Sequence, residues 1–187
     1  MVAKIISGKN IQGALNYNEK KVDQDKAELI WQNGFQKDIQ SMNFYDKLKR
    51  FTDLTIRNGQ TKTNAVHISL NFAIGEKIMD VTLVDISKEY LTELGFGSQP
   101  YLVYLHKDAG HPHIHIVTTN IKSSGERINL HNLGNTKSEI ARKRIEKHYG
   151  LIRADSNKLK RLEAPNLAKV NYGKTIPNEQ SQTWCEG

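Results

Sequence analysis

The chain has almost no cysteine: Cys185 is the single one in 187 residues. An internal disulfide is thereby excluded, and so are the thiolate-rich ligand sets that usually hold structural zinc. A reducing cytoplasm is the compartment this composition leads us to expect. Long apolar runs are missing too. None approaches the roughly 20 residues of a membrane span, so no membrane insertion is expected. The opening Met-Val-Ala-Lys-Ile-Ile-Ser-Gly has too short an apolar core for a secretory signal. There is no internal repeat and no low-complexity tract. No Gly-x-x-x-x-Gly-Lys-Ser/Thr phosphate loop occurs either.

What remains fits an ordinary soluble protein of one domain with a sizeable core. Its net charge of +7 is unevenly spread. Residues 137–163 hold nine Lys/Arg against four Asp/Glu, so this segment alone carries +5. Arg142, Lys143, Arg144 and Lys147 form its densest part, with Arg153, Lys158, Lys160 and Arg161 beyond. Such clustering is the electrostatic footprint of a protein that meets a nucleic-acid backbone. A well-solvated helix is the alternative.

Periodicity places the elements. Val2 to Ser7 reads as a strand ended by Gly8, and Asn10 caps a helix through about Tyr17. Residues 26–33 look like a strand stopped by Gly34. Ile39, Met42, Leu48 and Phe51 follow a helical stripe that starts at Lys37 and stops near Gly59. Ala65 to Phe72 alternates, with Val66, Ile68 and Leu70 facing one way and His67, Ser69 and Asn71 the other. Asp80 opens a helix that Gly95 closes. Strands over 100–106 and 113–121 follow, then a helix from Thr136 to Tyr149. The connection between the last two strands is too short for a parallel pair. We therefore expect an α+β fold with a mainly antiparallel central sheet, helices on one face and a site on the other. The expected division is a domain over residues 1–155 and a basic, polar tail over 156–187.

The most informative stretch is Tyr104-Leu-His106-Lys-Asp108-Ala-Gly-His111-Pro-His113-Ile-His115. On a strand, residues two apart share a face, so His113 and His115 project side by side roughly 7 Å apart at the backbone. His106, on the preceding strand, supplies a third imidazole across the hairpin. Three imidazoles leave positions open, as a catalytic metal site requires and a structural one does not. A hairpin-stapling metal and no metal at all are the blander readings. Asp108 is placed to orient a ligand histidine or to cap the turn; His111 is a partner to the ligands or a turn residue.

With the N-terminal Ser-Gly-Lys-Asn-Ile-Gln-Gly-Ala-Leu-Asn-Tyr-Asn-Glu-Lys-Lys-Val, the histidine segment resembles the His-hydrophobe-His endonucleases. More narrowly, it resembles the relaxase/mobilization nucleases, of the Bacteroides type, over roughly residues 1–150. The resemblance implies a site- and strand-specific nick in single-stranded transfer-origin DNA. It makes Tyr17 the nucleophile, forming a 5′-phosphotyrosine and freeing a 3′-OH. His106, His113 and His115 become the metal ligands, and His67 the additional polar residue on a neighbouring strand. It further implies accessory mobilization proteins and a coupling protein as partners. Lys20 and Lys21 would hold phosphates beside Tyr17, or simply be solvated. Mn2+ or Mg2+ is the cofactor the family implies, whereas three imidazoles suit manganese, zinc, nickel or cobalt better than magnesium.

Three rivals stand beside this reading. A replication-initiation or transposon nuclease shares the same chemistry. A two-histidine phosphoesterase would start at His67-Ile-Ser69, but no second His-x-Ser/Thr follows. A metal-stapled DNA-binding accessory protein would bind without cutting.

Overall fold

The computed structural model describes residues 1–154. The expected tail over 156–187, with Lys158, Lys160 and Arg161, lies outside the described residues. Among the described residues, five strands and four helices follow in the order β1 (Val2–Gly8), α1 (Ile11–Asp23), β2 (Ala27–Asn33), α2 (Phe44–Thr55), β3 (Ala65–Asn71), α3 (Asp80–Leu94), β4 (Tyr101–His106), β5 (His113–Thr119) and α4 (Lys137–His148). The strands form one sheet in the order β1-β3-β5-β4-β2. Every neighbouring pair is antiparallel.

Alternation along the strands builds two dissimilar faces. Val66, Ile68, Leu70, Val103, Ile114 and Ile116 turn to one side. There they pack with Leu83, Ile86, Tyr90 and Leu91 of α3 and Ala141 and Ile145 of α4. Fully burying side chains of this size contributes about 1.5–3 kcal/mol each, and this layer is the main core. The opposite face is divided. Ala65, Leu102, Tyr104 and Val117 pack under Ile11, Ala14 and Leu15 of α1 and Phe51 of α2. Farther along the same strands that face turns polar, with His67, Ser69, Asn71, His106, His113 and His115. Helices α3 and α4 cover the face away from the histidines, as expected; α1 and α2 are an addition on the histidine side.

Local signals account for the helix limits. Asn10 Oδ1 accepts from the Gly13 backbone N–H at 2.8 Å and starts α1. Asn43 and Asp46 form a reciprocal cap at the start of α2. Only a single 3-10 turn, Ile39–Ser41, precedes that cap, so the helix expected from Lys37 begins at Phe44. Gly95 ends α3 at φ 86°, a left-handed conformation that costs other residues more.

Candidate metal centre and nucleophile

The histidines meet because of strand register. His106 on β4 is directly opposite His113 on β5, and Tyr104 is opposite His115. On the other side, Ser69 of β3 is opposite His115 and Asn71 opposite His113. One nitrogen from each of His106, His113 and His115 lies within 4.8 Å of the others, and all three side chains are buried. The ring centroids of His106 and His115 are 4.0 Å apart, with 5.3 Å between His106 and His113.

Their partners orient them. His113 Nδ1 is 3.2 Å from the His111 carbonyl oxygen, which only accepts, so Nδ1 carries the proton and Nε2 keeps its lone pair. His115 Nδ1 is 2.9 Å from His67 Nε2. His106 Nε2 meets Asn18 Oδ1 at 2.9 Å. Asp108 Oδ1 lies 3.8 Å from His106 Nδ1 and 3.6 Å from His113 Nε2. His111 Nε2 lies 3.5 Å from Asn71 Oδ1.

Burial disfavours charge on these rings. It lowers the pKa of His67 and His106 from 6.5 to about 4, with repulsion from His113 adding to the effect on His106. Burial also lowers His113, and it takes His115 well down with help from His106. Neutral imidazoles are the form that ligates a metal. The convergence of three neutral nitrogens therefore fits a divalent cation. The donor set favours manganese, zinc, nickel or cobalt over magnesium.

Tyr17 stands over this cluster from α1. Its ring centroid is 6.0 Å from those of His67, His106 and His115. Burial raises its phenol pKa, and the Lys21 charge works against that rise. Lys21 donates to Asp108 Oδ2 at 2.5 Å, joining α1 to the turn that carries Asp108. Burial would lift the Asp108 carboxyl, but the Lys21 hydrogen bond and charge hold it below its usual range.

Helix α1 is tied down by two residues that the sequence did not single out. Asn18 is one. Glu19 is the other: it accepts from both Lys47 of α2, at 2.7 and 2.9 Å, and the Tyr104 hydroxyl, at 2.5 Å. Burial and then Glu19 keep that hydroxyl well above the ordinary phenol pKa. The available signal was a polar Asn18 on the otherwise apolar stripe Ile11, Ala14, Leu15. Lys4, exposed on β1 and opposite Ser69, also lies on the histidine side.

The basic helix α4 is not part of this site. It packs with α3 behind the sheet. Arg142, expected as a DNA contact, has a side chain that is 7% exposed and engaged by Glu139 and Glu146, each at 2.7 Å. Lys143 pairs with Glu139 and Arg144 with Glu93 of α3. Lys147 is in the last turn of the same helix. Lys20 and Lys21 are in the last turn of α1; the Lys21 charge acts on the Tyr17 phenol, whereas Lys20 lines a groove with Asn16, Glu19 and Asn43.

Comparison with known proteins bears on this arrangement. A family model described as relaxase, MobA/VirD2-like, nuclease domain, matches residues 17–151. That span starts at Tyr17 and takes in all three clustered histidines. A solved structure on the molecular basis of vancomycin resistance transfer in Staphylococcus aureus is similar over 83% of this chain and 100% of its own, with 15% identity and a TM-score of 0.46. No curated protein matches the chain.

Proposed function

Because the chain belongs to the relaxases, through their MobA/VirD2-like nuclease domain, we propose that it nicks one strand of transfer-origin DNA by tyrosine transesterification. The observation that carries this reading is Tyr17 facing three convergent, buried imidazoles. Residues 1–155 form the nuclease domain in this reading. Single-stranded origin DNA is the substrate, and accessory mobilization proteins and a coupling protein are the partners.

His106, His113 and His115 are the residues that would hold a divalent cation, Mn2+ or Mg2+ in the family. A cation there supplies neutralisation of phosphate charge. The chain's own residues do the rest. Tyr17 Oη attacks phosphorus in line, the bond to the 3′ oxygen breaks, and a 5′-phosphotyrosine forms. The 3′ oxygen takes up a proton as the phenol gives one up. The phosphotyrosine retains the phosphodiester's energy, so the same site reseals the strand; attack by water would lose that option. Lys21 lowers the cost of a buried phenolate, and Lys20 binds a phosphate. His67 acts by orienting His115.

Labelled oligonucleotides of candidate origins, single-stranded and as relaxed duplex, test the proposal with purified protein and Mn2+. A nick in the single strand that a chelator suppresses is expected, with little cutting of the duplex. Chelator-resistant cleavage, or equal cutting of both forms, would count against it. DNA binding without any nick across origins would favour an accessory protein.

A further inference from the structure

Asn18 follows Tyr17 on α1 and lies on the helix's buried stripe with Ile11, Ala14 and Leu15. It is 0% exposed. A buried amide is costly unless both ends find partners, and here both do. Nδ2 lies 2.9 Å from the Ala14 carbonyl oxygen, and Oδ1 lies 2.9 Å from His106 Nε2. The first hydrogen bond determines the second. A backbone carbonyl only accepts, so the amide nitrogen must face Ala14. The amide oxygen, which also only accepts, must then face His106. Nε2 of His106 therefore carries the proton, and Nδ1 keeps the lone pair. Nδ1 is the nitrogen turned toward the cluster: Asp108 Oδ1 lies 3.8 Å from it and 3.6 Å from His113 Nε2.

We propose that Asn18 is a positioning residue that locks His106 in its Nε2–H tautomer, so that the helix carrying the nucleophile also selects the ligand nitrogen. This rests on the reading of the three histidines as a metal site. Asn18 and Tyr17 are adjacent on a rigid helix, so a shift of α1 that displaces the phenol also breaks the bond that orients His106. Nucleophile and ligand are then correct together or disturbed together. The Asn-Tyr-Asn run of α1 has a role for its second asparagine that helix propensity does not supply, since asparagine is a poor residue for a helix interior.

The test is long-range ¹H–¹⁵N spectroscopy of the histidine rings in the metal-free protein, combined with Mn2+ titration. In the wild type, His106 should show a protonated Nε2 and an unprotonated Nδ1. Asn18→Leu should release the ring to both tautomers and weaken Mn2+ binding roughly 10–100-fold, the usual cost of losing a group that orients a ligand. Asn18→Asp, which keeps an acceptor, should preserve the tautomer and most of the affinity. A purely structural role would give no such rescue. A wild-type His106 protonated at Nδ1 overturns the proposal, and so does unchanged Mn2+ affinity in Asn18→Leu. If Asn18→Leu does not fold, the tautomers of the wild type and of Asn18→Asp still decide. His113→Ala separates the two ideas. If it binds Mn2+ as tightly as the wild type, the metal-site reading fails. If it loses binding while Asn18→Leu does not, the role of Asn18 alone falls.

Discussion

At the scale of single residues, the site's histidines are held in their uncharged forms. His67 and His106 titrate near 4 in the fold, where free imidazole titrates near 6.5. Between those pH values the unfolded chain binds more protons than the folded one, so stability falls as the pH drops through that window. Denaturant melts of the metal-free protein should show this loss between about pH 6.5 and pH 4. His67→Gln, which removes one of the titrating rings, should reduce the pH dependence. A flat profile for the wild type across the window would mean that the rings are not held neutral. Bound metal should steepen the loss, because protons compete with it for the same nitrogens.

At the scale of elements, α1 is the part on which the site depends. Asn18 ties it to β4, Lys21 ties it to the turn after β4, and Glu19 ties it to both β4 and α2. Lys47→Met should leave Glu19 short of its cation beneath the helix and destabilise the protein by about 1–3 kcal/mol. Lys49→Ala, which removes an exposed pair with Asp53 one turn further along α2, should cost less than about 1 kcal/mol. Chemical denaturation of both variants checks the contrast; equal effects would mean that the Glu19 interactions are incidental. These interactions also explain what the sequence concealed. β3 and the His113–His115 strand were legible because alternation is a local pattern. Local periodicity ends α1 near Tyr17, yet the helix runs to Asp23, since Asn18, Glu19 and Lys21 find partners dozens of residues away that no local pattern encodes. The cap that starts α2 at Phe44 is present in the sequence as Asn43 and Asp46, but an apolar stripe reaching back to Ile39 masks it. In α4, the acids that balance its charge include Glu93 on α3, so a helix that reads as a DNA footprint is in part a structural clamp.

For the whole molecule, the sheet separates two basic regions, and they should behave differently toward DNA. Neutralising Lys20 and Lys21 should weaken single-strand binding broadly and lower the slope of log affinity against log salt by roughly 0.7 for each phosphate no longer neutralised. Neutralising Lys143, Arg144 and Lys147 behind the sheet should leave that slope unchanged. The reverse result would put the strand's path on the α3–α4 face. Joining of Tyr17 to DNA can be measured directly. Protein incubated with Mn2+ and single-stranded origin DNA is denatured, digested with nuclease and trypsin, and analysed by mass spectrometry. The tryptic peptide over residues 10–20 contains Tyr17 as its single tyrosine. We predict a nucleotide phosphate on that tyrosine in the wild type and no adduct in Tyr17→Phe, with the variant still binding DNA. A persistent adduct in Tyr17→Phe, or a nick with Tyr17 unmodified throughout the reaction, would contradict the account.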